Sequence, residues 1–367
     1  MNMKVKLGDV CERGSSNLKQ ADILDKTGDF PIYGASGYIG NVDFYHQENE
    51  YVAIVKDGAG IGRAMFLPAM SSVIGTMQYL LPKDNILPKY LYYVVKYMHL
   101  EKYFTGATIP HIYFKDYKNE EFNCESIEKQ QQIITALENA EKIIALRKQQ
   151  LQKLDELVKA RFVEMFGDPV VNSKSWEIAP LSAVIVNANN GMARRGKDAD
   201  GSIVLRLVEL QNGFIDYSAP NRICLNDTEK KRYELVDNDF LFARVNGNPD
   251  YVGRCAVVKT IGEPVFHNDH IIRVHFDETK INGCFTSVLL NSDYGKRQMR
   301  EQIKTSAGQY TISQDGIGAI IAILPPLELQ NQFATFVEQT DKSKSAIQKS
   351  LEKLELLKNA LMQKYFG

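Results

Sequence analysis

The chain has 367 residues, enough for two domains of ordinary size, each with its own core. Its apolar (44%) and charged (24%) fractions are those of a soluble globular protein. A formal net charge of −1 excludes a global positive field but leaves room for a local basic patch. The apolar run "IGAIIAIL" (317–324) falls far short of the roughly 18 residues of a membrane span, and "MNMKVKLGDV" lacks the apolar core of a signal peptide. A cytoplasmic protein with no membrane partner is expected.

In chain order, "YVAIV" (51–55) and "MQYLL" (77–81) read as strands bounded by turn residues, and "PKYLYYVVKYMHLEKYF" (88–104) reads as a helix. A long heptad helix follows "CESIEKQQQ" (124–132). Beyond it, "GSIVLRLVEL" (201–210) and "HIIRVHF" (270–276) read as strands, and a second long helix follows "PPLELQNQ" (325–332). Short β-rich runs with occasional helices, and no regular strand–helix alternation, predict an α+β fold. Cys11, Cys124, Cys224, Cys255 and Cys284 stand singly, without the spacing of a zinc or thioredoxin motif, as reduced thiols would. "HNDH" reads as part of a strand, which places His267 and His270 on opposite faces, so no metal site is expected.

The chain repeats itself at an offset of 200. "LQKLDELVKARFVEMFG" (151–167) and "LEKLELLKNALMQKYFG" (351–367) share seven of 17 positions without a gap. The match extends upstream to "IEKQQQIITALENAEK" (127–142) and "LELQNQFATFVEQTDK" (327–342), and to "TGATIPHI" and "TSAGQYTI" (105–112 and 305–312). Each helix carries an apolar seam. In the first it is Ile133, Leu137, Ala140, Ile144, Leu151, Leu154 and Val158; in the second, Phe333, Val337, Thr340, Ile347, Leu351, Leu354 and Leu361. Two such helices, each about 40 residues and roughly 60 Å long, are natural partners for each other. Arg147, Arg161 and Lys358 interrupt the seam, and snorkelling of their stems at its edges is the favoured reading. Selection of the opposite helix is the alternative.

Two β-rich units, each followed by a long helix, resemble the specificity subunits of type I restriction–modification enzymes. The resemblance spans the chain and is carried by "FPIYGASGYIG" (30–40), "DFLFARVNGNPDYVGRCAVV" (239–258) and "GQYTISQDGIGAIIAILPPLELQNQF" (308–333). It implies two target recognition domains (1–124 and 169–324), related by the internal repeat and separated by two long helices (125–168 and 325–367) that form an antiparallel coiled coil. Such a subunit reads a split double-stranded DNA target, its helices setting the unread gap within a bound of about 18 base pairs. It recruits two modification (methyltransferase) subunits, which hold S-adenosylmethionine, and restriction subunits. The resemblance implies no catalysis and no cofactor on this chain.

"NPDY" (248–251) differs by one letter from the Asn-Pro-Pro-Tyr of DNA adenine methyltransferases. A free-standing methyltransferase would also need a Gly-rich cofactor loop opening a helix. "DGAGIGR" (57–63) is followed by no helical period, and its counterpart in the repeat is "NGNPDYVGR", so both read as turns between strands. A third possibility is a coiled-coil scaffold that binds no DNA. Candidate DNA contacts are side chains able to read base edges or phosphates on turn-rich segments. They are Tyr38, Asn41, Lys56, Arg63, Thr76, Gln78, Thr108 and His111 in the first unit. In the second they are Arg194, Arg195, Lys197, Arg244, Asn246, Asn248, Arg254, Gln309 and Tyr310. Arg194 and Arg195 stand out because no acidic partner lies near them in sequence.

Overall fold

The two heptad stretches fold as single helices, the central helix Ile127–Phe166 and the C-terminal helix Leu327–Phe366. They belong to a computed structural model that describes residues 3–106, 110–306 and 308–367. The compact units do not follow chain order. Unit 1 takes the chain up to Gln149 together with Ile347–Gly367, and unit 2 is Gln150–Ala346. Each therefore contains half of each long helix.

In unit 1 an antiparallel sheet runs in the order Cys11–Ser15, Met77–Pro82, Tyr51–Val55, Ala64–Leu67. A second sheet sets Phe30–Gly34 between Gly37–Val42 and a parallel partner, Ser72–Val73. A third pairs Met3–Lys6 with Glu121–Cys124. Unit 2 has the same three sheets. Ile185–Asn190, Ile271–Phe276, Asp239–Ala243 and Cys255–Val257 form the antiparallel one. Ser202–Leu205 lies between Arg222–Ile223 and a parallel Val265–His267, and Glu177–Pro180 pairs with Ile321–Leu324. The strand order and the one parallel pairing coincide.

Three boundaries differ from the expectation. The helix expected at 88–104 stops at Met98, because His99 takes a left-handed conformation (φ 52°), and a 3-10 turn, Leu100–Tyr103, follows. The strand expected over 201–210 ends at Leu205, where Glu209 folds back to accept hydrogen bonds from the main chain and guanidinium of Arg206. "HNDH" is a strand only at His267, which ends Val265–His267; Asn268, Asp269 and His270 form the turn to the next strand.

The main core of unit 1 lies between the four-stranded sheet and the helix Pro88–Met98, closed by Ile133, Ile134 and Leu137 of the central helix and Met362 and Phe366 of the C-terminal one. In unit 2 Phe162 and Phe166 of the central helix meet Phe285 and Phe333 with ring centroids 4.7–5.6 Å apart. Aromatic packing at such distances adds to the burial energy of the rings. Ile133, Leu137, Ala140, Val158, Phe333, Val337, Thr340 and Leu351 are buried, while Ile144, Leu151, Leu154, Ile347, Leu354 and Leu361 are half-buried. The helix halves are also tied by charge. Lys358 meets Glu141 at 2.7 Å and Lys148 meets Glu355 at 3.0 Å in unit 1, and Lys344 meets Asp155 at 2.6 Å in unit 2. Lys358 thus pairs across the seam, contrary to simple snorkelling. Arg161 fits the snorkelling reading better, its guanidinium 5.8 Å from the Phe336 ring centroid while it pairs with Glu164 on its own helix.

Each long helix starts on a buried glutamine. Gln130 Oε1 accepts from the Leu87 main chain, and its Nε2 donates to the carbonyls of Asn85 and Glu125. Gln330, at the equivalent place, accepts from Asn282 N–H and donates to the carbonyls of Lys280 and Pro325. Both are fully buried, so an apolar replacement strands three main-chain groups. Gln330→Leu should lower unfolding free energy by roughly 3 kcal/mol in denaturant titration; a loss below about 1 kcal/mol would show that the amide is dispensable.

Candidate nucleic-acid interface

In unit 1 the turn after Tyr51–Val55 (residues 56–63) is held between two other segments. Lys56 N–H donates to Thr76 C=O (3.0 Å), while Ile112 N–H donates to Lys56 C=O (3.0 Å) and Gly58 N–H to Pro110 C=O (3.0 Å). Gly58, Gly60 and Gly62 all have positive φ, which lets the chain double back without steric cost. Arg63 leans toward the hairpin tip, donating to Ala35 C=O at 3.3 Å. On that hairpin Tyr38 is 60% exposed and donates to Asn41 Oδ1. Thus Lys56, Arg63, Thr76, His111 and the hairpin bearing Tyr38 and Asn41 come together. Asp57, absent from the expected set, is the hub. Its carboxylate meets Lys56 Nζ at 2.5 Å and His111 Nδ1 at 2.7 Å. Partial burial opposes its ionisation, but hydrogen bonds from Lys56 and His111 outweigh that and hold the carboxyl below its ordinary range.

Two members of the first set are not placed there. Gln78 is buried and hydrogen-bonds to Tyr117 Oη; on its strand it shares a face with core Leu80, so it cannot read DNA without opening the core. Thr108 lies outside the described residues.

The corresponding turn of unit 2 joins Asp239–Ala243 to Cys255–Val257 and has the same attachments. Arg244 N–H donates to His270 C=O (2.8 Å), and Ile312 N–H to Arg244 C=O (2.9 Å). Val245–Asn246 pairs with Gln309–Thr311, bringing Asn246 opposite Tyr310, with Gln309 exposed at the hairpin end. Asn248 caps the 3-10 turn Pro249–Tyr251 through its Oδ1, and Asn246 Oδ1 accepts from Asn248 N–H. Those oxygens are occupied within the turn, so neither amide is set up for a bidentate grip on adenine. The Arg254 guanidinium lies 3.8 Å from the Tyr251 ring centroid. The "NPDY" tetrad is therefore the crest of a strand–turn–strand connection, without the strand–helix setting of a cofactor loop.

Arg194 and Arg195 are not free cations. Arg194 pairs with Glu229 (3.0 Å) and donates to Cys224 C=O (2.9 Å). Arg195 pairs with Asp269 (2.8 Å) and reaches His270 Nε2 at 3.3 Å. Their isolation in sequence was misleading, because the carboxylates arrive from 35 and 74 residues away. Asp269 also accepts from Arg244 through its carbonyl (3.1 Å), so Arg195 and Arg244 converge on one point. Lys197 is exposed, with no hydrogen-bond or ion-pair partner among the described residues. Asp269 and His270 belong to the site although sequence reasoning weighed His270 only as a metal ligand. The repeat carried the signal: Lys56 and Arg244 donate alike to Thr76 and His270.

Among the described residues no cluster of His, Cys, Asp or Glu could hold a metal ion, and no helix is long and apolar enough to cross a membrane. Residues 2–156 match the family model of the type I restriction modification DNA specificity domain. That match covers the first of the two β-rich units and the greater part of the central helix. It is 32% identical over 196 residues to the type I restriction enzyme StySPI specificity subunit of Salmonella potsdam, covering 52% of this chain and 42% of that protein. The EcoKI specificity subunit of Escherichia coli is 24% identical, with 51% and 41% covered. The chain thus spans less than half the length of these two relatives. Against the MjaVIII specificity subunit of Methanocaldococcus jannaschii it is 24% identical, with 88% and 80% covered. The fold is that of the S subunit of a type I restriction–modification system from M. genitalium (TM-score 0.64, 14% identity, 100% and 96% covered).

His267 adjoins this surface from within. It is fully buried, and burial together with the charge of Arg273 pushes its imidazole down to about 4. Between pH 6.5 and 4 the unfolded chain takes a proton that the folded chain refuses, so stability present above that range is lost as pH falls through it. His267→Leu should flatten this acid-side loss by up to about 1.4 kcal/mol per pH unit, read from denaturant melts at pH 7, 6 and 5. Parallel curves for the two proteins would contradict the assignment.

Proposed function

We propose that the chain reads DNA sequence for a type I restriction–modification complex and performs no chemistry itself. On this reading each globular part is a target recognition domain, the two descend from one duplicated unit, and the paired long helices form an antiparallel coiled-coil spacer. The identical strand order and the ion pairs between helix halves support it. The observation that carries most is the recurrence of one loop cluster at the same topological place in both units. Each cluster gathers cationic, amide and aromatic side chains on a turn locked to a hairpin, which suits contact with phosphates and base edges. Two different clusters suit two different half-sites, hence a split, asymmetric target in double-stranded DNA.

Modification subunits would dock on the helices and hold S-adenosylmethionine, and restriction subunits would join the same complex in the cytoplasm. The relatives are named as specificity subunits of such enzymes. The purified chain, incubated with tritiated S-adenosylmethionine and DNA, should transfer no label alone and should direct sequence-specific transfer once modification subunits are added. Transfer by the chain alone would overturn the proposal in favour of a free-standing methyltransferase. Transfer by modification subunits with unchanged sequence preference would reduce the chain to a scaffold.

A further inference from the structure

One difference between the two units lies beside the strand Ile321–Leu324. Unit 2 has five more residues between Asn282 and Ile321 than unit 1 has between Leu87 and Glu121, positions matched by their main-chain and glutamine bonds. In unit 2 this stretch includes the helix Asp293–Gln302, which lies so close to its predecessor that a Cβ on Gly295 would fall 2.4 Å from Leu290 Cα. That helix closes a strand edge. Tyr294 Oη donates to Ile321 C=O (3.0 Å), and Gln298 Oε1 accepts from Ile321 N–H (3.3 Å).

At the place of that helix, directly after Pro88–Met98, unit 1 has the 3-10 turn Leu100–Tyr103. Leu7 N–H donates to Glu120 C=O, as Leu181 N–H does to Ile320 C=O. By the alternation of an antiparallel ladder, the Lys6–Glu121 pair is then a non-bonded one, and the N–H and C=O of Glu121 point away from their neighbour strand. Those groups have no side-chain partner among the described residues. Glu121 lines a half-open cavity of about 520 Å3, together with Tyr97, Met98, Phe122, Gln363 and Phe366. Seven residues before Gln363 on the same helix, Leu356 is 69% exposed.

We propose that this cavity receives a helix of a partner polypeptide that presents a hydroxyl and an amide side chain one turn apart. The occupant's chemistry is read from unit 2, where the chain supplies such a helix to itself. An unpaired strand edge beside a groove that mixes apolar side chains with Lys102, Glu120 and Gln363 is a docking surface for a polar-faced helix of another chain. Docking here does not depend on DNA reading, and the test contains no DNA, so either proposal can fail without the other.

The probe is a fluorescein-labelled peptide of residues 292–303, SDYGKRQMREQI, held helical by a staple on its outer face. It should bind the full chain saturably in fluorescence anisotropy. Replacing its tyrosine (position 294) by phenylalanine and the first of its two glutamines (position 298) by alanine should weaken binding about tenfold. In the protein, Glu121→Ala removes the side chain alone and Glu121→Pro removes the outward N–H as well, so the proline variant should bind about fivefold more weakly than the alanine one. Gln363→Trp changes an exposed side chain, removes the bond its Oε1 accepts from Tyr97 Oη (2.7 Å) and should block the cavity, with an unchanged denaturant midpoint expected as the control that the fold is kept. Absent binding, or binding indifferent to Gln363→Trp, would overturn the proposal. So would concentration-dependent self-association lost in Gln363→Trp, which would make a second copy the occupant.

Discussion

One buried amide at the start of each long helix is the constraint on which the rest of the structure depends. Gln130 and Gln330 each bind the same three kinds of main-chain group: the N–H opening a helical segment, a carbonyl just before it, and a carbonyl at the end of a strand. No other uncharged side chain of that length offers a fixed acceptor and donors together. Because the amide fixes where each helix leaves its sheet, it also fixes which helix face turns to the core. Ile133 and Leu137, and Phe333 and Val337, lie three and seven residues further on and are buried.

The sheets in turn fix the loops. Lys56 and Arg244 are each held at both main-chain groups, so the turns they begin do not wander. Their surroundings are balanced in charge. Asp57 faces Lys56 and His111, and Asp269 faces Arg195 while its carbonyl takes Arg244. Carboxylates among the cations oppose indiscriminate attraction to phosphate, and on the proposed reading DNA contacts would replace these internal ion pairs. A net charge of −1 is compatible with such an interface. Preorganised side chains lose less entropy on binding than free ones.

Much of the plan was legible in the sequence because repetition and heptads are periodic signals. The 200-residue offset identified Gln130 with Gln330, the shared Gly-Arg ending matched the two turns at an offset of 191, and seam positions such as Leu137 and Val337 are buried. What failed was long-range or conformational. Glu229 and Asp269 reach Arg194 and Arg195 from elsewhere in the chain, which no local pattern reveals. Gln78 looked like a base reader by residue type, but strand alternation turns it inward to Tyr117. The left-handed His99 ends a helix whose apolar period continues past it. The extra helix of unit 2 was hidden because the repeat drifts in that stretch.

The central claim is that two different loop clusters on one chain read two halves of a DNA target. Methylome sequencing of cells with and without this chain tests it most directly. The account predicts an adenine methylation motif that depends on the chain and consists of two unlike specific parts separated by unread bases. A chain-dependent motif that is continuous, or the absence of any chain-dependent motif in cells that express the modification subunits, would contradict it.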